Sequence, residues 1–195
     1  MFSVVEQLKH STQLRWNRVH RFKPKVTMAL EFGSYLVKTA ETKEELIESF
    51  KLRHEVFRKE FCGITKDGLD LDRYDYYFDH LVILHKPSGK LIGTYRLNCS
   101  AFSSESYTGL EFELAPILAE PGPHLELGRA CIHREYRKSS VISLLWRGIA
   151  EYMNQSGANL LFGCSSLKVS NARDAALIYQ HLVNHVCVAN YPGCV

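Results

Sequence analysis

The chain has 195 residues, 46% of them hydrophobic and 23% charged, with a net charge of +3; this is enough for one domain with its own core, in the composition range of soluble globular proteins. So mild a charge gives no case for nucleic acid, no apolar run of about 18 residues is present to span a bilayer, and the N-terminus lacks an apolar signal core with a small-residue cleavage site. Six cysteines, at 62, 99, 131, 164, 187 and 194, include no C-x-x-C pair and read as reduced thiols of a cytosolic protein.

Residues 1–25 are basic: Lys9, Arg15, Arg18, Arg21, Lys23 and Lys25 stand against Glu6, with Phe2, Val5, Leu8, Trp16, Val19 and Phe22 interspersed. Such a segment reads either as a surface-docked terminus or as an amphipathic contact for an anionic membrane or acidic partner. We set a tail at 1–33 and a domain at 34–195. The weak alternation over 34–39 predicts a first strand. Thr42, with Glu45 three residues on, forms a capping-box signature for a helix reaching about Arg58. Leu46, Phe50, Arg53 and Phe57 share one face of it, so Arg53 points where a core belongs. Such a guanidinium needs a carboxylate, or must snorkel to the edge.

The loop 67–79 holds five aspartates, at 67, 70, 72, 75 and 79. A calcium loop is excluded, since it lacks the turn glycine and the terminal glutamate. A solvated acidic loop and a patch for a cationic amine both remain. The runs 80–85 and 91–98, joined by Lys86-Pro87-Ser88-Gly89-Lys90, predict a hairpin, with Arg96 inside its second strand. Residues 99–124 are irregular, with a firm break at Pro121-Gly122-Pro123. The run 125–132 then reads as a strand holding two charges, Glu126 and Arg129. A basic, hydroxyl-rich turn, 134–140, leads into a helix whose apolar positions are Val141, Leu144, Leu145, Gly148, Ile149, Tyr152 and Met153. Strand, turn and helix in this order aim backbone N–H groups at an anion. A buried strand over 159–165 and a helix from 171 to about 185, with Ala175, Ile178 and Leu182 on one face, complete the chain. His181, His185 and Cys187 lack an accompanying carboxylate, so no metal is expected.

Arg53, Asp72, Asp75, Arg96, Glu126 and Arg129 are three acids and three bases, each misplaced for its element, that can neutralise one another in one cleft. Strict alternation puts Glu126 and Arg129 on opposite faces, so sharing a cleft requires a bulge near 127–130.

These residues carry a resemblance. The pieces LRHEVF (52–57), LDRYDYYFDHLVI (71–83), GTYRL (93–97), YTGLEFEL (107–114), LELGRACIHREYR (125–137), LLWRGIAEY (144–152) and LFGCSSL (161–167) resemble, in order, the branch of the GNAT-like acyltransferases that includes acyl-homoserine-lactone synthases, N-acyl amino acid synthases and ornithine-lipid N-acyltransferases. LLWRGIA and FGCSS look most similar to the ornithine-lipid type. The resemblance implies an α/β GNAT-like (acyl-CoA N-acyltransferase) fold: a mixed, mostly antiparallel sheet with helices on both faces and a V-shaped opening beside strand 125–132. It also implies two strands after the last helix, for which this chain has hardly room for one.

The implied activity is transfer of a long-chain fatty acyl group, 3-hydroxy chains included, from acyl carrier protein to an amino-acid amine. Ornithine is favoured over other amino acids or homoserine-lactone formation. The rival is a non-catalytic acyl-binding or carrier-docking module. Carried over by position, Arg53, Phe57, Asp72, Asp75 and Arg96 bind the acceptor, while Glu126 and Arg129 are catalytic. Ala130, Cys131, Ile132, Arg137, Lys138, Ser139 and Ser140 face the donor's pantetheine. Serine and isoleucine stand at 140 and 142, where related acetyltransferases place glycines around a diphosphate. This favours a carrier-protein thioester over coenzyme A, which stays the second donor; an ordinary helix cap by Ser139 or Ser140 also explains the turn. No cofactor is expected. Glu126 is the candidate base, and an N–H near 127–130 the oxyanion donor. Tyr179 is the candidate acid, or core packing. The partners implied are acyl carrier protein, docked by Arg137 and Lys138, and, for a cytoplasmic enzyme at the inner face, an anionic membrane surface to which the tail holds the enzyme.

Overall fold

The computed structural model describes residues 19, 21–166, 169 and 171–185; most of the expected tail, and Cys187 and Cys194, lie outside them. Six strands form one sheet in sequential order. They are β1 (Ala29–Phe32), β2 (Tyr35–Thr39), β3 (Asp79–His85), β4 (Lys90–Cys99), β5 (His124–Ile132) and β6 (Leu160–Phe162). All neighbours are antiparallel except β5 and β6. The helices are α1 (Lys43–Arg53), the short α2 (Ala115–Leu118), α3 (Ser139–Ser156) and α4 (Ala172–His185). None among the described residues is long and apolar enough to cross a membrane.

The sheet starts earlier than expected. Phe32 pairs with Tyr35 around Gly33 and Ser34, a two-residue hairpin whose glycine sits at φ 56°. Val26 and Met28 are buried in the core. Residues 26–32 therefore belong to the domain rather than to a tail ending at 33. Asp79 fixes this entry: its carboxylate accepts the Lys25 N–H at 2.9 Å, the Val26 N–H at 3.0 Å and the Tyr152 hydroxyl at 2.9 Å.

Alternation along β3 divides the core into two layers. Leu81 and Ile83 face α3, where Val141, Leu144, Leu145, Ile149 and Tyr152 pack with Val37, Ile92, Leu97 and Leu125. Val82 faces α1 and packs with Leu46 and Phe50. Each such fully buried aliphatic side chain contributes roughly 1.5–3 kcal/mol. Gly148 lets α3 seat closely: a Cβ there would come within 2.7 Å of Val37 and 2.9 Å of Leu81.

The capping box forms as expected. The Glu45 N–H donates to Thr42 Oγ1 and the Thr42 N–H to Glu45 Oε2, both at 3.2 Å. Past Arg53 the helix continues in wider, π-type turns over His54–Glu60, which accounts for the expected end near 58. β6 pairs only with His124, Leu125 and Glu126. Its last close approach is Gly163, where a Cβ would meet the Leu127 carbonyl oxygen at 2.2 Å. From there on β5 has no β6 partner, and the sheet opens beside Glu126. Against the described residues, no residue of α4 is buried, so the expected core face is not seen among them.

Candidate functional site

The D-x-x-D spacing at 72–75 is itself a local structure. Asp72 caps a short 3-10 turn, Arg73–Tyr76: it accepts the Tyr74 N–H at 2.9 Å, while its own N–H donates to Asp75 Oδ2 at 2.7 Å. The box holds both carboxylates over the α1 face of the sheet, where three arginines meet them. Arg53 donates to Asp75 through Nη1 (2.6 Å) and Nη2 (3.1 Å), and to Asp70 through Nε (3.0 Å) and Nη2 (2.9 Å). Arg96 donates to both oxygens of Asp72 at 2.8 Å and to Asp75 at 3.1 Å. Arg129 reaches Asp72 at 3.2 Å. Arg53 thus takes the paired course rather than snorkelling, with 1% of its side chain exposed.

Burial works against ionisation of Asp75, but the charge and hydrogen bonds of Arg53, aided by Arg96, outweigh it and hold the carboxyl far below its usual range. His80, opposite Arg96 on β3, lies edge-on to Phe50 and contacts the Asp75 carbonyl oxygen at 3.1 Å. Burial pushes it down to about 4, and Arg53 and Arg96 add to this against the pull of Asp75.

The expected bulge is present. Thr94 pairs with Cys131 and Arg96 with Gly128, so Tyr95 alone faces two residues, Arg129 and Ala130. Arg129 takes φ 53°, the one positive φ of a non-glycine among the described residues. A left-handed arginine costs on the order of 1–3 kcal/mol. The extra residue resets the alternation and turns Arg129 toward Asp72. Arg129 Nε is buried without a hydrogen-bond partner.

Glu126 is held differently. It is buried, and no arginine pairs with it among the described residues. Its Oε1 accepts the Thr108 N–H at 2.6 Å and the Thr108 hydroxyl at 2.8 Å; its Oε2 accepts the Tyr107 N–H at 3.2 Å. Tyr107 also joins the two halves of the site, its ring centroid lying 5.0 Å from the Arg96 guanidinium and 5.1 Å from that of Arg129. Five of the six misplaced charges therefore form one network, and the sixth, Glu126, borders it through Tyr107.

Only part of the expected acceptor set reaches the surface. Arg53, Asp75 and Arg96 are buried, whereas Asp72 and Arg129 keep 26% and 25% of their side chains exposed. Phe57 is half-buried on Leu52, Val56 and Cys131. On the donor side, Ala130 is exposed, but Cys131 and Ile132 point into the core, and burial pushes the Cys131 thiol up to about 12. Arg137 is not a free charge: it donates to both Glu60 oxygens, at 2.7 and 3.0 Å, and to the Ile132 carbonyl at 2.9 Å. Lys138, Ser139 and Ser140 are exposed, but the expected serine cap is absent: Lys138 is the N-cap, and no side chain caps α3. Tyr179 is 70% exposed on α4, which rules out its core-packing reading and leaves it outside the network. No metal-holding group of three His, Cys, Asp or Glu exists among the described residues.

Four residues of the site were not singled out from sequence: Asp70, His80, Tyr107 and Thr108. Asp70 had a signal only as one of the five aspartates of the loop 67–79.

A family model described as "Acetyltransferase (GNAT) domain" matches residues 52–147. The chain is 31% identical over 162 residues to the L-ornithine N(alpha)-acyltransferase of Rhodobacter capsulatus, covering 76% of this chain and 61% of that one. It is 28% identical over 172 residues to the protein of the same name from Agrobacterium fabrum, with 80% and 58% covered. It thus spans about three-fifths of the length of these curated relatives. Among solved structures it resembles the AHL synthase LasI, at 18% identity and TM-score 0.48, with 80% of this chain and 78% of that one covered. A putative N-acetyltransferase from Lactobacillus plantarum matches at 19% identity and TM-score 0.48, with 76% and 82% covered.

Proposed function

We propose, for a chain that carries a GNAT acetyltransferase domain and is similar to ornithine Nα-acyltransferases, that it transfers a long-chain fatty acyl group, 3-hydroxy chains included, from a carrier-protein thioester to the α-amine of an amino acid, ornithine first. The observation that carries this reading is Glu126: a buried carboxylate at the point where β5 and β6 part, held by neutral donors alone among the described residues. A carboxylate paired with arginine is a poor proton acceptor. One held by N–H and O–H groups keeps an unneutralised charge beside the opening.

In the proposed reaction the ammonium loses a proton to Glu126, directly or through one water. The neutral amine attacks the thioester carbonyl, and the C–S bond breaks. The pantetheine thiolate leaves and takes up a proton, so that one amide, one thiol and one released proton balance the equation. The backbone of the 128–130 bulge lies beside the opening and can supply an N–H to the oxyanion. Asp72 and Arg129, the exposed rim of the network, would touch the acceptor. Arg129 Nε is itself buried, 3.8 Å from Asp70 Oδ2, so it is the exposed part of the Arg129 side chain, beside Asp72, that would meet the acceptor. Arg53, Asp75 and Arg96 hold that rim from beneath. Lys138 and Arg134, exposed at the start of α3, are the charges offered to an acidic carrier protein, with coenzyme A as the second donor. A cytoplasmic location at the inner membrane face accompanies this reading.

The test is mass spectrometry of the products from purified protein, long-chain acyl carrier protein and a panel of amino acids. Amine-dependent N-acylation supports the proposal. Thioester release that ignores the amine, or binding without turnover as expected of a docking module, overturns it.

A further inference from the structure

We propose that Thr108 is a positioning residue for this reaction, fixing the Glu126 carboxylate so that Oε2, and not Oε1, is the oxygen that receives the amine's proton. The inference rests on the reading of Glu126 as base and adds a residue and an atom to it.

The two carboxylate oxygens are unequally occupied. Oε1 takes two short bonds, both from Thr108: the N–H at 2.6 Å and the hydroxyl at 2.8 Å. Oε2 takes one longer bond, from the Tyr107 N–H at 3.2 Å. A carboxylate has about four lone-pair sites, so Oε1 is filled and Oε2 retains capacity for a water or an amine. Thr108 is itself immobilised. It is 5% exposed, and its carbonyl accepts the Glu111 and Phe112 N–H groups at 3.0 Å. The segment before it is tied to β4 where Asn98 Nδ2 donates to the Glu105 carbonyl at 2.6 Å. The Thr108 hydroxyl directs its proton at Glu126 Oε1.

Removing the hydroxyl leaves the carboxylate held by the two backbone N–H groups alone and loosens it about its terminal torsion, which is broad in glutamate. Binding of either substrate does not depend on that torsion, but proton transfer does. The experiment compares Thr108→Val, Thr108→Ala, Thr108→Ser, Glu126→Gln and the double variant Thr108→Val/Glu126→Gln in steady-state acyl transfer, with melting curves in parallel. We expect Val and Ala to lower kcat about 10- to 100-fold, the range for loss of one hydrogen bond to a charged group. KM for amine and donor should stay within about twofold, since only proton transfer is affected, and Ser should restore most of kcat. In the Glu126→Gln background the Thr108 change should cost nothing further, since both act through one group. Wild-type kcat in folded Val or Ala variants, no recovery with Ser, or a full additional loss in the double variant would overturn the inference while leaving Glu126 as base. Full activity of Glu126→Gln alone would overturn the base itself, and the inference with it.

Discussion

Asp75 and Glu126 are both buried carboxylates in one site, yet their surroundings are opposites. Asp75 meets Arg53 and Arg96 and lies amid equal and opposite charges. Glu126 meets two N–H groups and a hydroxyl, none of them charged. Counter-ions fix a carboxylate's charge and remove it from chemistry. Dipoles stabilise the charge but leave it uncompensated. On the proposed reading the difference separates a strut from a reagent, although the two residues look alike in the sequence.

The widest way to break this comparison is to delete each acid in turn. Asp75→Ala leaves Arg53, itself 1% exposed, short of one partner, and should destabilise the fold by about 3–5 kcal/mol in urea titrations. Glu126→Gln keeps an acceptor for Thr108 and should cost about 1 kcal/mol or less. Its kcat for acyl transfer, in contrast, should fall roughly 100- to 10,000-fold. If Asp75→Ala proves as stable as the parent, the network is not a strut.

Acid should sharpen the contrast, because the strut contains titrating groups. His80 is depressed in the folded state from 6.5 to about 4. A depressed group contributes stability that is complete above its unfolded value and is lost as pH falls toward the folded value. The loss should therefore begin near pH 6.5 and reach on the order of 3 kcal/mol by about pH 4. Asp75, also depressed, adds its loss below the usual carboxylate range. His80→Phe should flatten the pH 4–6.5 window of a stability profile; an unchanged slope there would show that another group titrates.

Some of this is legible in the sequence alone. The need of Arg53 for a carboxylate followed from its place on an apolar helix face. The bulge followed from parity, since positions 126 and 129 cannot share a face of a regular strand. α3 and its seat on the sheet followed from periodicity. What the sequence hid depends on where irregular chain lands. Nothing at Tyr107 or Thr108 announces a bond to Glu126, because their place is set by a non-repeating loop. β1 was missed because its ALEF run is half-exposed and short, although the Gly33-Ser34 turn was a usable sign. α4 has the right period for a core helix, but period cannot say whether a partner surface exists.

The smallest expected effect concerns the two basic residues at the start of α3, alike in sequence and unlike in the structure. Arg137 is bound to Glu60 and to the Ile132 carbonyl, whereas Lys138 is exposed at the helix N-cap. If the carrier protein docks through exposed positive charge, Lys138→Glu should raise KM for the acyl carrier two- to fivefold at low salt, roughly the worth of one exposed charge pair. The difference from the parent should fade as the Debye length falls from about 10 Å at 0.1 M to about 3 Å at 1 M. Arg137→Glu behaves otherwise. Its charge is already answered by Glu60, so its loss acts by loosening the tie between the His54–Glu60 turns and the end of β5, and that tie is recovered in the swap Arg137→Glu/Glu60→Arg. Its KM effect should accordingly be rescued by the swap and should persist at high salt. Equal, salt-sensitive effects from the two reversals would instead assign both residues to one docking face and reduce the Glu60 bridge to a resting contact.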